Sequence, residues 1–130
     1  MTAKHDAHVI YLASPYSHPK PEVREWRYER ACEVAALLMS DGHLVYSPIA
    51  HSHPLTRHGL PTNWEYWRAM DEAMLSMCQA LVVVRLSGWE QSRGVQAELS
   101  LARELGLRIG GVEGPEWSLK WEEVPEGDDV

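Results

Sequence analysis

The segment SRGVQAELSLAREL (92–105) predicts an amphipathic helix with one misplaced carboxylate. Residues three, four and seven apart share a helix face, and the apolar face collects Val95, Leu99, Leu101, Ala102 and Leu105. Glu98 falls near the middle of this apolar face, whereas Glu104 falls on the polar face. Because burying an unpaired carboxylate is costly, Glu98 needs a partner, a raised pKa or a cleft to face.

A second carboxylate interrupts the apolar face of another predicted helix, TNWEYWRAMDEAMLSMCQ (62–79). The apolar residues of that face are Trp64, Trp67, Met74, Leu75 and Cys78. Asp71 lies among them, as Glu98 does on its own helix. Two such carboxylates on helices that flank one strand favour an acid/base or nucleophile pair. A structural ion pair, for instance across a subunit interface, is the alternative for Glu98.

Short apolar runs that predict strands alternate with helical segments along the chain. The predicted strands are 8–14, 43–50, 80–86 and 107–112. The predicted helices are 21–42, 62–79 and the segment from Ser92 onward, and 51–61 is predicted to be a loop. This order is typical of the α/β class, as a three-layer Rossmann/flavodoxin-like parallel sheet of four to five strands with helices on both faces.

The carboxyl ends of parallel strands form the ligand-binding edge of such a sheet. The loops after Leu12, Tyr46 and Leu86 should therefore surround one crevice. The residues expected to bind substrate there are Ser14, Tyr16, His51, His53, Trp89, Ser92, Arg93 and Gly94. The last three open the third helix, where free N–H groups and a hydroxyl suit a phosphate, although Ser92 also makes an ordinary N-cap.

Three histidines, His51, His53 and His58, raise the question of a metal site. Their H-x-H-x₄-H spacing lies in a proline-rich segment and does not match a recognised zinc pattern. We therefore expect no metal, and we expect His51 or His53 to contact a ligand instead. The segment after the first strand lacks G-x-G-x-x-G, and the chain lacks a phosphate-binding P-loop, which argues against a dinucleotide or ATP enzyme.

Length and charge narrow the class of protein. At 130 residues we expect one domain over 1–130, with a disordered acidic tail at 125–130. A net charge of −7 without a basic stripe argues against a nucleic acid polymer as partner. Cys32 and Cys78, in a chain without a recognisable signal peptide, indicate reduced thiols and a cytoplasmic location. The sequence also shows no apolar run long enough to suggest a membrane partner.

Two stretches resemble the nucleoside 2-deoxyribosyltransferase-like superfamily. IYLASPYS (10–17) looks like the first strand and loop of that superfamily, and SRGVQAELSLA (92–102) is similar to its Gly-x-x-x-Glu helix. MDEAMLSMCQALVVV (70–84) matches in layout, with an acidic residue ahead of the third strand. The resemblance covers residues 8–112. The chain looks closer still to an uncharacterised bacterial and phage domain family assigned to this fold.

The resemblance implies a role for each of several residues. Glu98 would be the nucleophile that attacks the anomeric carbon, Tyr11 would orient it, and Asp71 would face the leaving base or the sugar. Ser92 stands where the transferases carry an aspartate, and a serine there is similar to the nucleoside 5′-monophosphate N-glycosidases, where it helps to hold the phosphate. The basic loop of those glycosidases is replaced by SPYSHPKP (14–21).

The sequence therefore predicts a cofactor-free N-glycosidase or deoxyribosyltransferase acting on a nucleoside or nucleoside 5′-monophosphate. The resemblance also implies a homodimer or homotetramer. The alternative is a non-catalytic nucleotide-binding module with the same crevice.

Overall fold

The computed structural model describes residues 8–123, which form a single five-stranded sheet with helices on both faces. The strands are β1 (Val9–Ala13), β2 (Leu44–Tyr46), β3 (Ala80–Val84), β4 (Arg108–Val112) and β5 (Lys120–Trp121). Their order is β2-β1-β3-β4-β5, in which β5 alone is antiparallel to its neighbour. The expected three-layer α/β class is confirmed, and the expected tail at 125–130 lies outside the described residues.

The helices that connect the strands lie on both faces of the sheet. They are α1 (Pro21–Ser40), α2 (Pro48–Thr56), α3 (Trp64–Ser76) and α4 (Arg93–Glu104). The connection from β1 to β2 runs toward one edge of the sheet, whereas the connection from β2 to β3 runs toward the other. Because parallel crossovers are right-handed, α1 of the first connection and α3 of the second lie on opposite faces. No helix within residues 8–123 has the length and apolar character needed to cross a membrane.

Successive side chains of the central strands point to opposite faces of the sheet, and this alternation divides the core into two layers. Ile10 and Leu12 of β1 pack with the buried face of α1, whereas Tyr11 and Ala13 pack with α3 and α4. β3 is buried at every position, as a strand covered on both faces must be. Tyr11 is thereby directed toward the helix that carries Glu98.

The element boundaries correct three of the sequence-based predictions. The predicted strand 43–50 ends at Tyr46, and the predicted loop 51–61 is largely the helix α2. Ser47 caps this helix by accepting a hydrogen bond from the Ala50 N–H at 3.1 Å, and Pro48 takes its first position, where a missing N–H costs nothing. Leu105, predicted on the apolar face of the third helix, is exposed because the helix ends at Glu104.

Close packing of β5 depends on a glycine in β4. A Cβ at Gly110 would lie 2.7 Å from the Trp121 ring and 3.0 Å from the Lys120 carbonyl oxygen, which is backbone. A Cβ at the neighbouring Gly111 would meet the Arg85 guanidinium at 2.8 Å, which a flexible side chain can relieve.

We therefore expect Gly110→Ala to lower the free energy of unfolding by about 1–3 kcal/mol, the usual cost of overpacking a core. Gly111→Ala is the matched control and should cost clearly less. Urea unfolding followed by tryptophan fluorescence measures both. Equal losses in the two variants would show that β5 does not pack tightly on Gly110.

Candidate active site

A cavity of about 460 Å³ lies at the carboxyl ends of β1, β2 and β3. The loops predicted to surround one crevice do line it, through residues Ser14 and Tyr16 after β1, Pro48 and Ser52 after β2, and Gly88 and Gln91 after β3. The strand order reverses between β1 and β3, which is where ligands bind in open α/β sheets. The volume is in the range of small-molecule sites.

Glu98 lies in the wall of this cavity with only 5% of its surface exposed. The Tyr11 hydroxyl, which is fully buried, donates a hydrogen bond of 2.7 Å to Glu98 Oε2. No cationic side chain within residues 8–123 lies in salt-bridge distance of Glu98. Its partner inside the described chain is therefore a neutral hydroxyl, and no ion pair within that chain explains its burial.

Asp71 lines the same cavity from α3 and is 6% exposed. Its Oδ1 atom has no hydrogen-bond partner among the described residues. Two other cavity-lining groups, Ser14 Oγ and Trp64 Nε1, are buried and unpartnered in the same way. Buried polar atoms are nearly always satisfied in folded proteins, so three such atoms on residues of one cavity lining indicate a place for a polar ligand.

Burial changes the acidity of both carboxyl groups. Loss of solvent raises the pKa of Glu98 to about 8, the Asp71 charge adds to the rise, and the hydrogen bond from Tyr11 opposes it. Burial alone raises the pKa of Asp71 to about 7. Both groups therefore titrate near neutral pH, where one can hold a proton while the other is ionised.

The start of α4 forms another part of the wall. Ser92 Oγ accepts a hydrogen bond of 3.2 Å from the Val95 N–H, so Ser92 is the N-cap. The next two amides, of Arg93 and Gly94, have no partner among the described residues and are available to an anion. The Arg93 side chain itself pairs with Glu65 at the protein surface.

Gly94 is needed where α4 meets α3. A Cβ on Gly94 would lie 2.9 Å from Trp64 Cδ1, so the indole occupies the space that a side chain would take. Trp64 and Trp67 both line the cavity, although the sequence analysis placed them on the Asp71 face without assigning them to the site. The shared face was the signal that could have identified them.

Arg27 lines the cavity without having been predicted to do so. Its guanidinium donates to two backbone oxygens, of Ser17 at 3.0 Å and of Ser87 at 3.4 Å, and so joins the loops after β1 and β3. Within residues 8–123 it has no carboxylate partner. Nothing in the local pattern of α1 separates this arginine from its neighbours, because only tertiary packing brings it to the cavity.

Three predicted substrate-binding residues do not line the cavity. Trp89 packs against the α3/α4 core layer and under the Arg85 guanidinium, 5.5 Å from its ring centre. His51 is exposed on α2 near the Tyr46 ring, and His53 is buried behind Tyr16. The formation of α2 explains both histidine positions, since a loop could have turned them inward. Among the described residues, no three histidine, cysteine or acidic side chains lie close enough to hold a metal ion.

Fold and site together define a flavodoxin-like α/β protein with a buried carboxyl pair at its topological switch point. The chain belongs to the family described as a domain of unknown function, DUF1937, which it matches over residues 8–112. No curated protein matches the chain.

The raised pKa values make the stability of the protein depend on pH. An acid whose pKa is raised on folding binds more protons in the native state, so stability falls as pH rises from about 4.5 to about 8. Each pKa unit by which folding raises the pKa of the group corresponds to about 1.4 kcal/mol of stability lost above the raised pKa. We therefore expect Glu98→Gln to be more stable than the wild type at pH 8.5, and to lose this advantage at pH 5.

Thermal unfolding between pH 5 and 8.5 measures this difference, with Glu104→Gln as the control on the exposed side of the same helix. The control should follow the wild type at every pH. If Glu98→Gln were destabilised equally at both pH values, burial would not raise the pKa of Glu98.

Proposed function

We propose that the protein cleaves the N-glycosidic bond of a nucleoside or nucleoside 5′-monophosphate, with Glu98 as nucleophile. The observation that carries the proposal is the Glu98 carboxyl, buried in the cavity wall and held by Tyr11, in the same cavity as unpartnered Asp71. The resemblance to nucleoside 2-deoxyribosyltransferase-like proteins supplies the reaction type.

In the first step, the bond between the anomeric carbon and the base nitrogen breaks while a bond to a Glu98 oxygen forms. Tyr11 occupies Oε2, which leaves Oε1 free to attack. The hydrogen bond from Tyr11 favours the ionised carboxylate, because a hydroxyl donor stabilises negative charge. The departing base takes a proton, and Asp71 is the donor that we assign. The pKa of Glu98, about 8, lies above that of Asp71, about 7, so the reactive form, with Glu98 ionised and Asp71 protonated, is the minor form of the singly protonated pair.

In the second step, an acceptor attacks the anomeric carbon and releases Glu98 as a carboxylate. Water as acceptor yields the free sugar, whereas a second base yields a new nucleoside. Glu98 is only 5% exposed, and such burial strengthens electrostatic stabilisation of the developing positive charge on the sugar.

The hydrogen-bond donors in the cavity lining support a 5′-phosphate on the substrate. The Arg27 guanidinium lies against the loop at Gly88. A Cβ built on Gly88 would be 3.3 Å from Arg27 Nη2. Ser92 and the amides of Arg93 and Gly94 follow a few residues later. Together they offer a charge, a hydroxyl and two N–H groups, a set that suits an oxyanion.

We expect Glu98→Gln to keep the fold and to lower base release by about 1000-fold or more, because the nucleophile is lost. Base release from the four deoxynucleosides, the four ribonucleosides and their 5′-monophosphates, followed by chromatography, measures this loss. Glu104→Gln should release base at the wild-type rate.

The same assay separates the enzyme from the alternative, a non-catalytic nucleotide-binding module. Stabilisation of the wild type by a nucleotide in thermal unfolding, without release of base from any substrate, would favour the module. Turnover by Glu98→Gln at the wild-type rate would exclude Glu98 as nucleophile. The homodimer or homotetramer implied by the resemblance stays a proposal that sedimentation equilibrium checks.

Ser92→Asp should shift the substrate preference away from the monophosphate and toward the nucleoside. The new carboxylate can still cap α4, but it repels a phosphate and can accept a hydrogen bond from a free 5′-hydroxyl. We expect the ratio of kcat/KM for monophosphate over nucleoside to fall by about tenfold or more, since a hydrogen bond to a charged group contributes about 1.5–3 kcal/mol. An unchanged ratio would mean that Ser92 serves only as a helix cap.

A further inference from the structure

A chain of three polar side chains leads from the cavity wall to the protein surface. Tyr16, which lines the cavity, has its hydroxyl 2.6 Å from His53 Nδ1. His53 Nε2 lies 2.8 Å from Glu25 Oε1. The His53 side chain is 8% exposed, whereas that of Glu25 is 45% exposed. The chain therefore connects a half-buried residue of the cavity lining with a carboxylate in contact with solvent.

The partners of His53 decide where its proton lies. Glu25 is an acceptor, so Nε2 carries the hydrogen and donates it to the carboxylate. Nδ1 is then the acceptor, and the Tyr16 hydroxyl donates to it. A carboxylate, an imidazole and a hydroxyl in this order form the arrangement by which hydrolases activate a hydroxyl group.

The surrounding structure holds the imidazole in place. The Tyr28 ring packs on His53 with 4.3 Å between ring centres, and the Tyr16 ring meets it edge-on at 5.4 Å. Arg57 donates to Glu25 at 3.3 Å, which keeps the carboxylate facing His53. Arg24 and Thr56 also lie beside the Tyr16 hydroxyl, and both oppose the rise in the pKa of Tyr16 that burial causes.

We propose that Tyr16, His53 and Glu25 form a proton relay that activates the water attacking the glycosyl ester of Glu98. This inference rests on the proposed function and assigns its second step. As the bond from the anomeric carbon to Glu98 breaks and the bond to the water oxygen forms, the water proton passes to the Tyr16 oxygen. The Tyr16 proton passes to His53 Nδ1, and the resulting imidazolium is paired with the Glu25 carboxylate.

The pKa shifts of Tyr16 and Glu25 suit a concerted transfer. Burial raises the pKa of Tyr16, so a free phenolate is disfavoured and Tyr16 must gain one proton as it gives up the other. The hydrogen bond from His53 lowers the pKa of Glu25, which therefore stays ionised and stabilises the imidazolium. The excess proton then leaves to solvent at the exposed end of the chain.

The relay divides the reaction between two sets of residues. Asp71 supplies the proton when the base departs, whereas Tyr16 receives the proton when water attacks. Loss of the relay should therefore leave the first step fast and slow the second. The glycosyl–Glu98 intermediate should then accumulate, which a merely structural role of Tyr16 would not produce.

The test uses Tyr16→Phe and Glu25→Gln in the full chain. The probes are the four deoxynucleosides and their 5′-monophosphates. In rapid-quench experiments we expect each variant to release about one equivalent of base in a burst, followed by steady-state turnover slowed by about 100-fold in Tyr16→Phe and about tenfold in Glu25→Gln. Intact-mass measurement should show one sugar, or sugar phosphate, added per chain.

Two exposed residues provide matched controls, Tyr66→Phe on α3 and Glu29→Gln on α1, and both should behave as the wild type. Wild-type kinetics in Tyr16→Phe would overturn the relay, as would equal slowing of the burst and the steady state. In either case the proposed function would stand, with Asp71 serving both steps. No base release by the wild type from any probe would overturn the proposed function, and the relay with it.

Discussion

Glu98 places a carboxyl group on the apolar face of α4, and the hydroxyl of Tyr11 is the group that meets it there. A charge in this position loses its hydration, and a hydrogen bond to a charged group returns only about 1.5–3 kcal/mol. The helix can keep such a residue because α4, β1 and β3 are otherwise packed by aliphatic side chains. The rest of the site is arranged around this carboxyl, whose ionised form is destabilising for the fold and is the nucleophile of the proposed reaction.

The cavity brings together groups from both faces of the sheet. Asp71 and Glu98 come from α3 and α4 on one face, whereas the chain of Tyr16, His53 and Glu25 runs from the cavity wall through α2 to α1. They meet at the reversal of strand order, because only there do helices of both faces approach the same strand ends. In the proposed reaction, the buried acids and the relay would act on one bound molecule from two sides.

Helical periodicity was sufficient to identify the central pair from the sequence. Glu98 and Asp71 occupy positions where their helices should be apolar, and both are buried in the structure. The contrast with Glu104, on the exposed side of the same helix, shows that position rather than residue type carries this information. The alternation of strands and helices likewise predicted the sheet and the edge at which the cavity lies. These features depend on local repeats, which a sequence displays directly.

The remaining parts of the site depend on contacts between residues distant in sequence. The Ser47–Pro48 cap converts a predicted loop into α2, and this helix presents His53 to Glu25, which lies 28 positions away. Arg27 reaches the cavity only because α1 crosses the ends of two strands. The sequence by itself determined the fold class and the two misplaced carboxylates, since hydrophobic periodicity records which face of each element is buried. Apart from Tyr11, which the resemblance placed beside Glu98, only tertiary structure decided the surroundings of the two carboxyl groups, because packing between elements sets the distances over which hydrogen bonds and charges act.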